Sequence, residues 1–183
     1  MAGLRCGSEP LLRAPGEPSA CLPVTGEAPE PVPATRILCV GNPWFEPDRA
    51  GALVHDRLAR ARFPRGVEVI DAGLGGLALL RYLEGAGRVI LVDATLGLAE
   101  PGQVALYDCA GAIGRTEGAH YGHDGGLPYL LGALPAVVDQ LPAEILLIGL
   151  EPPVGEDAVD QAVSLCLSLV KGEKIRASQP LCW

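Results

Sequence analysis

Apolar residues in this chain fall into short unbroken runs and longer stretches at helical spacing, and the two alternate. Arg36-Ile37-Leu38-Cys39-Val40 is an apolar run that stops at Gly41-Asn42-Pro43, which reads as a strand and a turn. Over residues 48–62, Ala50, Leu53, Val54, Leu58 and Ala61 share one helical face, and Pro64 and Gly66 end the pattern. Val67-Glu68-Val69-Ile70-Asp71 predicts a second strand, and Leu77 to Glu84 a second helix with a Gly-rich entry. Arg88-Val89-Ile90-Leu91-Val92-Asp93 is continuously apolar up to its terminal acid. Continuous hydrophobicity implies cover on both faces, as in a parallel sheet between helix layers.

Gln103 to Tyr107 predicts a shorter strand, reached through Pro101-Gly102, and so short a connection favours antiparallel pairing. A Gly-rich loop over 109–124 leads to a helix with Pro128 in its first turn and Pro135 further on, where a kink is expected. Glu144 to Leu150 is a fifth strand. Residues 156–171 form the last helix, with Gly172 as its C′ residue. The order β-α-β-α-β-β-α-β-α predicts an α/β fold of three layers, α/β/α, around a mostly parallel five-stranded sheet. The folded domain is expected over 35–172. Residues 1–34 carry seven prolines among Gly, Ser and Glu and are expected to form a disordered tail, with a second short tail over 173–183.

Composition narrows the possible partners. The net charge of −8, from 22 acids against 14 bases, repels a phosphate backbone and argues against nucleic acid. No apolar run approaches the ~20 residues of a membrane span, and the N-terminus lacks the plan of a signal peptide. The six cysteines show no C-x-x-C pair, which disfavours a zinc ribbon and fits a reducing compartment. A cytoplasmic protein is expected.

Ligands of open α/β sheets bind outside the carboxyl ends of the strands, and polar residues gather at such positions here. Asn42 and Asp48 follow the first strand, Asp71 ends the second, Asp93 ends the third and Glu151 follows the fifth. His123 precedes the helix after the fourth. Two carboxylates and an imidazole at one edge could hold a borderline divalent ion such as nickel or zinc with coordination positions left open. Each has a plainer role available: Asp48 as a helix N-cap, Asp93 as acceptor for loop amides, His123 as an idle loop residue. His120 lies one turn before His123, and Cys109 with either histidine could make a thiolate pair. There is no G-x-S-x-G elbow, no Walker-type phosphate loop and no G-x-G-x-x-G after the first strand.

The order of motifs resembles one family. Ile37-Leu38-Cys39-Val40-Gly41-Asn42-Pro43 with Asp48 and Gly51 is similar to the N-terminal signature of the nickel–iron hydrogenase maturation endopeptidases. The resemblance continues through Val67 to Asp71, Gly73, Gly76-Leu77, Val89 to Ala94, His123 with Gly126-Leu127, and Leu146 to Gly149 with Glu151-Pro152, covering about residues 36–171. It implies that Asp48, Asp93 and His123 together form the catalytic and metal site. It also implies removal of the C-terminal extension of a hydrogenase large-subunit precursor, with nickel carried by that precursor, no organic cofactor, and a monomeric protein. The chain departs from the family pattern at Pro47, where an acid is usual, at Arg49, where Gly is common, and at Leu74, where Thr is usual; the segment after Pro152 is also shorter. A precursor-binding chaperone without cleavage and a phosphate-binding module using Gly41-Asn42 are the rival readings.

Overall fold

The computed structural model describes residues 35–114, 126–177 and 179–180, so the Pro-rich stretch 1–34 lies outside the described residues. All five predicted strands form: β1 (Thr35–Val40), β2 (Val67–Gly73), β3 (Arg88–Ala94), β4 (Val104–Asp108) and β5 (Glu144–Leu150). They lie in the order β2-β1-β3-β5-β4, and a two-residue strand, β6 (Gln179–Pro180), adds to the outside of β4. All neighbours run parallel except β4, which is antiparallel to β5. The direction of β4 is as predicted, but its neighbour is β5 rather than β3. Residues 95–103 are long enough to step past the end of β5.

The helices are α1 (Ala50–Leu58), α2 (Leu80–Leu83), α3 (Leu127–Val137) and α4 (Glu156–Val170), with α2 continuing a 3₁₀ turn over Gly76–Leu79. The helix expected over 48–62 is shorter at both ends. Pro47 and Asp48 belong to a separate 3₁₀ turn, Glu46–Asp48. At the far end the amides of Arg60 and Ala61 bond three residues back, to Arg57 and Leu58, which tightens and closes the last turn before Pro64. Pro135 falls in the last turn of α3, close to where that helix stops.

Each continuous apolar strand divides its side chains between two cores because successive residues point to opposite faces. Leu38, Val40, Val89, Leu91 and Leu147 pack with Leu79, Leu83, Leu130, Leu131 and Leu134 on the α2/α3 side. Ile37, Cys39, Ile90, Val92 and Ile148 pack with Val54, Leu58, Val159, Ala162 and Leu169 on the α1/α4 side. Each fully buried leucine or isoleucine contributes about 1.5–3 kcal/mol by leaving water. Among the described residues no helix is long and apolar enough to cross a membrane.

The strand order also locates a crevice. From β1 the chain crosses to β2 on one side, then to β3 on the other. The loops after β1 and β3 therefore diverge at their carboxyl ends, which is where open α/β sheets take ligands.

Candidate active site at the carboxyl edge of the sheet

Two glycines bring Asp48 to this crevice. A Cβ on Gly51 would stand 1.9 Å from the Val40 carbonyl oxygen, so only glycine lets α1 rest directly on the end of β1. Gly41 has φ +150, and a Cβ there would lie 2.2 Å from the Asp48 carbonyl oxygen. Free of those clashes, the Asn42 amide donates to both the Asp48 carbonyl (2.9 Å) and its Oδ2 (3.0 Å). The Asn42 Oδ1 accepts from Trp44 N at 3.0 Å and shapes the turn between. The plainer role foreseen for Asp48 is not the one it takes. The N-cap of α1 is Arg49, with no side-chain capping bond.

Asp93 is the penultimate residue of β3, on the α2/α3 side with Val89 and Leu91. The 3₁₀ turn that carries Asp48 touches β3. Burial, and then the negative charge of Asp48, push the Asp93 carboxyl up to about 8, with a backbone hydrogen bond opposing the shift. A cation arriving beside it would favour the ionised form of Asp93. Asp93 also lines a cleft of about 180 Å³ with Thr95, Leu96, Leu98, Leu127 and Pro128.

His123, like His120, lies outside the described residues. The first residues of α3, Leu127 and Pro128, stand in the wall of the Asp93 cleft. Among the described residues no group of three His, Cys, Asp or Glu side chains gathers at one point, so there the site is a carboxylate pair. Cys109 is buried, and burial followed by the charge of Asp108 pushes its thiol up to about 12. That makes it a poor nucleophile.

Glu151, also at this edge, has a structural task. Its buried carboxylate accepts from Gly97 N (2.6 Å), Leu98 N (3.2 Å) and Ala99 N (3.3 Å), tying the loop after β3 to the end of β5. Tyr107 Oη adds a bond to the Leu98 carbonyl at 2.7 Å. Asp71 is exposed and accepts from Gly73 N at 3.1 Å. Sequence reasoning missed the apolar rim of this edge. Trp44 (93% exposed), Leu74 (75%) and Leu96 (81%) sit on the loops after β1, β2 and β3.

The family model for hydrogenase maturation protease matches residues 52–169. The hydrogenase expression/formation protein HoxM of Azotobacter vinelandii is 34% identical over 129 residues, covering 68% of this chain and 61% of HoxM. The chain thus spans less than two thirds of that relative's length. A Methanocaldococcus jannaschii relative named for the same family is 30% identical over 146 residues, covering 74% of this chain and 95% of its own. The fold is shared with the hydrogenase maturating endopeptidase HybD of E. coli, at a TM-score of 0.64, 21% identity, and coverage of 78% of this chain and 95% of HybD. The chain belongs to the hydrogenase maturation protease family.

Proposed function

We propose that the protein is an endopeptidase that removes the C-terminal extension of a nickel–iron hydrogenase large-subunit precursor once nickel has been inserted. The observation that carries this reading is the meeting of Asp48 and Asp93 at the topological switch point of a chain of this family. The nickel is part of the substrate. The two carboxylates attract it, and the His123 imidazole, a ligand type suited to nickel, completes the recognition. When the precursor docks, the metal's charge favours ionised Asp93, so the proton held by the free protein is released. Hydrolysis then adds water across the scissile peptide bond held beside the pair, giving a carboxylate and a free amine. The exposed Trp44, Leu74 and Leu96 suit contact with a macromolecular surface. The buried free thiols Cys39, Cys109 and Cys166 suit the reducing cytoplasm, where the protein acts as a monomer.

The test is processing of nickel-loaded and nickel-free precursor, followed by gel shift. The protein should cut only the loaded form, and His123→Ala should abolish cutting while leaving the melting temperature unchanged. Equal cleavage of both forms would refute metal recognition. Binding without cleavage would identify a maturation chaperone instead.

A further inference from the structure

Thr95 stands out among the polar side chains of the interior. It is 7% exposed, and its Oγ1 has no hydrogen-bond partner among the described residues. Arg36 Nε and Arg88 Nε also lack hydrogen bonds, but each faces a carboxylate, of Glu68 and Glu144 respectively. Thr95 Oγ1 faces none. A buried hydroxyl without a partner is a standing cost to the fold, and valine would supply the same shape without it.

The position of the orphan gives it meaning. Thr95 and Asp93 line the same cleft, two residues apart on the chain. The Thr95 amide is fixed to the Leu150 carbonyl at 2.9 Å, which holds the backbone in place. Its side chain lies over Gly149, the register partner of Asp93 on β5. A Cβ on Gly149 would stand 2.9 Å from Oγ1 and 2.8 Å from Cγ2. Glycine there makes the room that the threonine occupies. The rest of the wall is apolar, from Leu96, Leu98, Leu127 and Pro128. Beside two acids, an anion is an unfavourable occupant, and a cation goes to the carboxylates. What remains for a hydroxyl donor is a neutral acceptor, and the carbonyl of a peptide backbone is the one every polypeptide brings.

We propose that Thr95 is a substrate-binding residue of this site, its hydroxyl turning to donate to a main-chain carbonyl of the precursor segment held beside Asp93. The inference rests on the endopeptidase reading above. It gives that site a contact that fixes the register of the peptide, separate from the metal-recognising acids.

The test compares Thr95→Val and Thr95→Ser with the unmutated protein, in steady-state processing of nickel-loaded precursor and in thermal melting. Thr95→Val should raise KM roughly three- to tenfold, the range for one hydrogen bond, while melting at the same or a higher temperature. Thr95→Ser keeps the donor and should stay within about twofold of the unmutated protein. Unchanged processing by Thr95→Val, while the unmutated protein cuts, removes this proposal alone. So does an equal loss in Thr95→Ser, or a fall in the melting temperature of Thr95→Val with kcat falling alongside. If the unmutated protein binds precursor without cutting it, the same comparison is read from the dissociation constants. If it neither binds nor cuts, the endopeptidase reading falls and takes this inference with it.

Discussion

The two edges of the parallel sheet solve opposite problems. At the amino edge, polar groups are matched. Arg36 and Glu68 are register partners on β1 and β2, 3.4 Å apart, and the Arg36 guanidinium also donates to the carbonyls of Tyr82 and Glu84. Arg88 and Glu144 are register partners on β3 and β5 and form an ion pair, and Arg88 donates to the Leu169 carbonyl at 2.8 Å. Charges there meet their opposites. At the carboxyl edge the charge of Asp48 bears on the buried carboxyl of Asp93, Thr95 lacks a hydrogen-bond partner among the described residues, and Trp44, Leu74 and Leu96 are left to solvent. Matched groups tie strands together. Mismatched ones cost stability and become useful when something else completes them.

The largest expected effects come from removing the mismatch itself. Asp93→Asn should cut precursor processing about a hundredfold or more, a few kcal/mol of lost charge stabilisation, yet make the protein harder to melt. The sign follows from the raised carboxyl. Between about pH 4, where an unfolded aspartate loses its proton, and about 8, where Asp93 does, the folded state binds the extra proton. The unmutated protein therefore loses stability as pH rises through that window, and asparagine does not. Melting curves from pH 4 to 8 should show the two proteins equal at the acid end and the variant ahead at pH 8. A variant that melts lower at pH 8 would mean that Asp93 supports the fold, and the contrast between the edges would fail.

Gly51→Ala tests how the carboxyl edge is assembled. The added methyl group meets the Val40 carbonyl, so α1 must shift and take Asp48 with it. The expected cost is about 1–3 kcal/mol of stability, typical of overpacking, with processing lost more steeply than stability. Denaturant titration alongside a processing assay measures both. Full activity in a stably folded variant would show that the position of Asp48 does not depend on this contact.

Glu144→Gln at the amino edge should do least. A half-exposed ion pair is worth about 0.2–1 kcal/mol, and processing should not change. A variant that melts normally but fails to process precursor would place functional chemistry at the wrong edge.

Strand positions and the three-layer class were legible in the chain because they depend on local chemistry. A continuous apolar run means a strand covered on both faces, and an acid at the end of such a run stands out against it. The ends of α1 were less legible, since they depend on the separate 3₁₀ turn through Pro47 and on the tightened last turn at Ala61. The partner of β4 was not legible either, because residues 95–103 can reach either of two strands and only the staple at Glu151 shows the path taken.

The sequence by itself determined which residues could be ligands, which runs must be buried, and where glycine interrupts them. Only the tertiary structure decided what those residues do. It turned Glu151 from a candidate into a structural acceptor, set Asp48 against the Asn42 amide instead of the start of α1, and left Thr95 unpartnered over Gly149. The physical reason is that residue type limits which bonds a group can make, whereas its charge and hydrogen bonding are settled by neighbours that the chain brings in from far along its length.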